Sequence, residues 1–219
     1  MVPDHLNIVW DSPSQDHHGS MPLGNGEIGL NAWIDPVGDL VFYISRVDSW
    51  SAGGHLLKVG RVRVSLSPGP LTAGADYRQE LRLHEGEMAV RMGKDHPVAL
   101  RLWVDAHHPV INVAVESRAP VALTARVESW RADPRPAPVD ARVSDPYSPR
   151  ESTIEPDQFL QEGPDRIGWY QHNRASYGPR QTMAFQGLEG YPGFVDPLQD
   201  RVFGAVVRAR GGQRVDATT

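Results

Sequence analysis

Ser20-Met21-Pro22-Leu23-Gly24-Asn25-Gly26-Glu27-Ile28-Gly29-Leu30-Asn31 is the stretch on which the fold turns. Gly24, Gly26 and Gly29 crowd around Asn25, directly before Leu30 to Ile34, which reads as a strand. Backbone this rich in glycine either turns sharply or lets another group approach closely. The glycines also satisfy G-x-G-x-x-G, with Asp48 about 20 residues on, as in a dinucleotide-binding unit. That unit needs a buried strand before the glycines and a helix starting at them. Instead, Ser12 to Ser20 is polar and turn-like. After the glycines, Leu30-Asn31-Ala32-Trp33-Ile34 leads through Asp35-Pro36-Val37-Gly38 into Leu40-Val41-Phe42-Tyr43-Ile44. Two short β-rich runs joined by a Pro/Gly turn predict a hairpin, not a nucleotide site.

The same texture continues outward. Arg61-Val62-Arg63-Val64-Ser65-Leu66 alternates strictly, so its apolar side chains share one face. Further strand-like runs follow at Gln79 to Leu83, Met88 to Met92, Val98 to Val104, Val110 to Val115 and Val121 to Val127, with short turn-rich links. Evenly spaced strands of this kind predict an all-β antiparallel sandwich built as a meander. From Arg131 to Asp165 seven prolines and few apolar residues break the pattern, as expected of one long loop. Strand-like pieces resume at Arg166 to Tyr170, Thr182 to Gln186 and Arg201 to Arg208, and no amphipathic helix is read anywhere. A single sandwich domain over 1–219 is expected, its end at Thr219 reading as a cut.

Composition narrows the function. The formal net charge is -5 and the pI about 6.0, with no basic run to track phosphates, so no nucleic-acid partner is expected. No apolar run approaches the ~18 residues of a membrane span. The N-terminus lacks a secretory signature, which leaves the compartment open; an extracytoplasmic address would fit a trimmed chain. Cysteine is absent, removing disulfides, thiolate nucleophiles and Cys-based zinc sites. Gly (21) and Pro (19) are plentiful, as many short strands require.

Residues 10 to 64 resemble the N-terminal domain of bacterial proteins of the DUF5703 type, which are grouped with glycoside hydrolases. More distantly they are similar to the N-terminal domain of the family 95 α-L-fucosidases. The likeness rests on Trp10-Asp11-Ser12-Pro13-Ser14, Gly19-Ser20-Met21-Pro22-Leu23-Gly24-Asn25-Gly26, Asp48-Ser49-Trp50 and Leu57-Lys58-Val59-Gly60-Arg61-Val62-Arg63. Trp169-Tyr170-Gln171-His172-Asn173 with Ser176, and Arg201-Val202-Phe203-Gly204, fit the same family. The resemblance implies a β-supersandwich preceding an (α/α)6 barrel that carries the acid and base, so no catalytic residue is assigned here. It also implies a carbohydrate substrate at the cleft rim and a downstream catalytic domain of the same polypeptide as partner. Glu27 and Trp33 depart from the fucosidase pattern, and fucose specificity does not carry over. A free-standing carbohydrate-binding sandwich without catalysis is the alternative.

Six residues are candidates for substrate contact. Glu27 lies beside the glycine turn, where exposed backbone could abut a sugar, although a single carboxylate does not make a glycosidase pair. Asn25 could touch a ligand or brace its own turn. Asp48 and Trp50 could form a sugar-facing rim, by hydroxyl hydrogen bonds and ring stacking, or Trp50 could simply pack. His172 and Asn173 follow the apolar Trp169-Tyr170. The pairs His17-His18 and His107-His108 have no metal-ligand spacing, and neighbours on a strand point to opposite faces, so no metal is assigned. No cofactor is called for.

Overall fold

The computed structural model describes residues 3–95, 97–136, 153–161, 163–177 and 179–219; nothing is described of the side chains of residues 180 and 181. The described chain is nearly all β, with antiparallel sheets, as the alternation requires. It divides into two compact units: Met1–Val47 with Gly60–Glu128 and Thr219, and Asp48–Val59 with Ser129–Thr218.

The first unit is a sandwich of two five-stranded sheets, two of whose strands run on at one end into the second unit, at residues 48–50 and 56–59. One contains β1 (Ile8–Trp10), β6 (Tyr77–Arg82), β7 (Glu87–Met92), β8 (Val98–Val104) and β9 (Ile111–Ser117), in that order. The other runs β10 (Ala122–Glu128), β5 (Leu56–Ser67), β4 (Leu40–Trp50), β3 (Ile28–Ile34), β2 (Met21–Gly24). Each is a four-strand meander, β6 to β9 or β2 to β5, with one further strand added at an edge. Period 2 puts Leu30, Ala32 and Ile34 opposite Ile44, Phe42 and Leu40 on a buried face. Leu81, Met88, Val90, Leu100 and Leu102 are buried likewise on the other sheet. Fully burying side chains of this size is worth about 1.5–3 kcal/mol each.

The outer face of the second sheet is polar and tied by charge. Arg63 donates from Nε to Glu128 Oε1 at 2.8 Å and from Nη1 to Asp39 Oδ2 at 3.0 Å and to Asp35. Burial alone would lower the guanidinium pKa. Hydrogen bonds to Glu128, Asp35 and Asp39 outweigh it and hold the pKa above the ordinary arginine value.

The second unit contains the three-stranded sheet β13 (Gln158–Leu160), β14 (Arg166–His172), β15 (Val202–Arg208), and a short ladder between β11 (Arg135–Pro136) and β12 (Thr153–Ile154). Gly204 in β15 is required by close approach: a Cβ there would meet Trp169 O at 2.2 Å. Two expectations change here. The stretch 131–165 is not one long loop, because its described residues supply β11, β12 and β13; residues 137–152 lie outside the described set. Thr182 to Gln186 is not a strand: Pro179–Phe185 forms α1, the only α-helix among the described residues. Proline suits a first helical position, and five residues of mixed polarity do not separate the two periods. No helix among the described residues is long and apolar enough to cross a membrane.

Arg131 fastens this unit. It and Asp157 are 3 % and 2 % exposed at their side chains, with Nε 2.8 Å from Oδ1. Its Nη1 and Nη2 donate to the carbonyls of Lys58 (2.8 Å) and Val59 (3.0 Å). Truncating one member of a buried pair strands the other charge, at a typical loss of about 3–5 kcal/mol. Arg131→Met and Asp157→Leu should each lower the urea unfolding free energy by about that much. The double variant should lose less than the sum, by about 2 kcal/mol or more. Additive losses would show that the two charges do not act as a unit.

Candidate functional site

In the first unit the glycine stretch is the β2–β3 hairpin, Met21 pairing with Ala32 and Gly24 with Gly29. No helix follows the glycines, so the dinucleotide pattern has no structural counterpart. Gly26 sits at φ 92°, in the left-handed region that favours glycine. A Cβ on Gly24 would come within 2.8 Å of Ile28 O. Asn25 Oδ1 accepts from the backbone N–H groups of Glu27 and Ile28, both at 3.0 Å. Its Nδ2 donates to the carbonyls of Asp105 (2.8 Å) and His108 (3.1 Å). Both donors and both acceptor positions of the amide are therefore used within the unit. Glu27 Oε1 accepts from Arg46 Nη2 at 2.7 Å, both side chains being more than a third exposed. Such a pair adds little to stability, so the carboxylate sits at the surface at small energetic cost to the fold.

The loop that Asn25 grips is itself anchored. The backbone N–H of His107, followed by the ring of His108, holds the Asp105 carboxyl below the usual carboxylate range. Asp105 Oδ1 accepts from both the His107 and His108 N–H groups at 2.9 Å.

The other four candidates lie in the second unit, where Arg201 binds Asp48 and Asn173 directly. Its Nε donates to Asp48 O at 2.7 Å, its Nη2 lies 3.6 Å from Asp48 Oδ2, and its Nη1 donates to Pro197 O at 3.3 Å. Asn173, almost fully buried, donates from Nδ2 to the carbonyls of Trp50 (2.9 Å) and Leu198 (3.2 Å). Its backbone exchanges bonds with Arg201 and Asp200. His172 Nε2 lies 3.3 Å from Asp200 Oδ1, and Trp50 is 38 % exposed. The result is a polar rim in which Asp48, Trp50 and His172 reach solvent, while Asn173 holds the strand ends together.

Arg201, Asp200 and Asp196 were not singled out from sequence. Asp196 Oδ1 accepts from Leu198 N–H at 2.9 Å, while its Oδ2 is buried with no hydrogen-bond partner among the described residues. Asp200 is the one non-glycine residue with positive φ, 56°, among those described. Aspartate tolerates that conformation better than most residues, and Asp-Arg after a Pro-Leu turn was the available signal.

His17–Gly19 is a 3-10 turn, not a strand, so His17 and His18 are not sent to opposite faces. Their ring centroids are 4.3 Å apart.

The two asparagines differ from His172 in what they hold. Asn25→Asp turns two donors into lone pairs facing carbonyls, and Asn173→Ala strands the carbonyls of Trp50 and Leu198. Each should cost about 1–3 kcal/mol in urea unfolding. His172→Ala should stay within about 0.5 kcal/mol. Equal losses for all three would contradict the division into braces and rim.

Comparison with known proteins identifies the family. No curated protein matches the chain. A family model, DUF5703_N, with the description "Domain of unknown function (DUF5703)", matches residues 9–219. The match begins inside β1, takes in residues of both units and extends well beyond residues 10 to 64, where the motifs are densest. On that coverage the chain belongs to the DUF5703 family, as its N-terminal domain.

Proposed function

We propose that this domain is the N-terminal β-sandwich part of a larger carbohydrate-active enzyme of the glycoside hydrolase type. In this reading it packs against a downstream catalytic domain of the same polypeptide and lends loops to the substrate cleft. The acid and base lie outside this chain, and the rim of Asp48, Trp50 and His172 contacts substrate.

One observation carries the reading. From the end of α1 onward the second unit presents Phe185 (72 % exposed), Tyr191 (65 %) and Val195 (82 %), with Leu188 and Phe194 beside them in sequence. Exposed aromatics gathered in one segment, and not spread singly, are typical of a surface that another protein surface covers. A sugar-binding face would more naturally present its aromatics along a sheet. The polar rim adds support, because positioning groups can contribute to rate without taking part in bond making.

A second reading, a carbohydrate-binding sandwich without catalysis, has its own supporting feature. The outer face of the β1-to-β9 sheet carries a concavity of about 130 Å³ floored by Ala89, Ala99 and Ala114 and rimmed by Arg91 and Arg101. Arg101 lies over the Trp103 ring at 5.5 Å.

The test compares the 219-residue chain with a version carrying any downstream sequence of the same reading frame, on one panel of aryl glycosides and oligosaccharides. Turnover only by the longer protein is expected, together with a lower melting temperature for its Phe185→Asp/Tyr191→Asp variant. Turnover by the short chain would overturn the proposal. Oligosaccharide binding by the short chain, lost in Arg101→Ala and without turnover by either protein, would establish the second reading instead.

A further inference from the structure

Three metal-ligating side chains meet on the 3-10 turn His17–Gly19 of the first unit. Asp16 caps the turn, its Oδ1 accepting from His18 N–H at 2.8 Å and lying 2.9 Å from His18 Nδ1. On this turn the His17 and His18 rings lie side by side, with centroids 4.3 Å apart. One donor atom from each of Asp16, His17 and His18 lies within 4.8 Å of the other two. Among the described residues no other trio of His, Asp or Glu donors meets this condition.

The separations suit a metal. Zinc binds imidazole nitrogen and carboxylate oxygen at about 2.0–2.2 Å, so two such ligands on one ion stand roughly 3–3.5 Å apart. The Asp16–His18 pair is already near that separation, and a small rotation of the exposed His17 side chain would complete the set. The ring of His17 also lies edge-on to Tyr43, with centroids 6.1 Å apart, which keeps it against the outer face of the sheet. Two imidazoles and one carboxylate favour zinc, copper or nickel over magnesium or calcium, which prefer all-oxygen sites.

We propose that Asp16, His17 and His18 form a surface site for a late first-row divalent cation, with water completing the coordination. The site is independent of the carbohydrate reading and stands or falls without it.

The chain supplies its own control. Asp105 and His108 repeat the carboxylate–imidazole contact at 2.9 Å, and His107 precedes His108 as His17 precedes His18. There the third donor does not join, so a two-ligand site is the most that pair offers. Tag-free protein would be titrated with zinc chloride by calorimetry at neutral pH in a non-coordinating buffer. Saturation at one ion per chain is expected, with a dissociation constant on the order of 10 μM. His17→Ala and His18→Ala should each weaken binding at least about tenfold, whereas His107→Ala/His108→Ala should stay within about twofold. With copper(II), electron paramagnetic resonance should show two coupled imidazole nitrogens, reduced to one in His18→Ala. No saturable binding below about 1 mM, or an affinity that follows His107 and His108 instead, would overturn the proposal. These positions are exposed, so circular dichroism of each variant should match the parent protein.

Discussion

One buried guanidinium organises the second unit. Arg131 reaches Asp157 and the carbonyls of Lys58 and Val59, while Val59 O also accepts from Trp169 Nε1 at 2.9 Å. Four segments distant in sequence are thereby tied at one point: the start of β5, Arg131, Asp157 and β14. A charge in so dry a place is tolerated because each of its three nitrogens donates to an oxygen, one of them the carboxylate of Asp157. Arg63 does comparable work on the first unit, but at a half-exposed site where three carboxylates share it. The contrast follows from solvent. At Arg63 water can replace a lost partner, and at Arg131 it cannot.

The same logic separates positioning from contact among the candidate residues. Asn25 and Asn173 use their amide donors on backbone carbonyls, so they set the shape of loops whose exposed members can meet a ligand. Asp48, Trp50 and His172 keep solvent-facing atoms on a frame held by Arg201. Division of labour of this kind is how loops on a rigid sheet acquire defined geometry.

Much of the frame was legible because period 2 is a strong signal wherever one face is buried. Val98 to Val104 appears as a strand with those bounds, and Arg61 to Leu66 lies within the longer β5. Short or one-sided segments were harder. Ile8–Trp10 is exposed at all three positions, so no apolar alternation marked it, and its strand status comes from pairing with β6. Thr182 to Gln186 misled because five residues sample barely more than one helical turn. Arg131 looked like the start of a loop, since nothing local reveals that its partner is Asp157.

By itself the sequence determined that the chain is all-β and antiparallel, that its glycine stretch is a turn between strands, and which family it resembles. Those properties follow from local chemistry: alternation, turn residues and motif spacing each act over a few positions. Only the tertiary structure decided that the chain forms two units, that Asn25 is an amide with no capacity left, and that Arg201 joins Asp48 and Asn173 to its own turn. It also decided that His17 and His18 stand together with Asp16. Each of these depends on which distant backbone groups or neighbouring turns a side chain meets, and partners set by long-range register leave no mark on the residues around them.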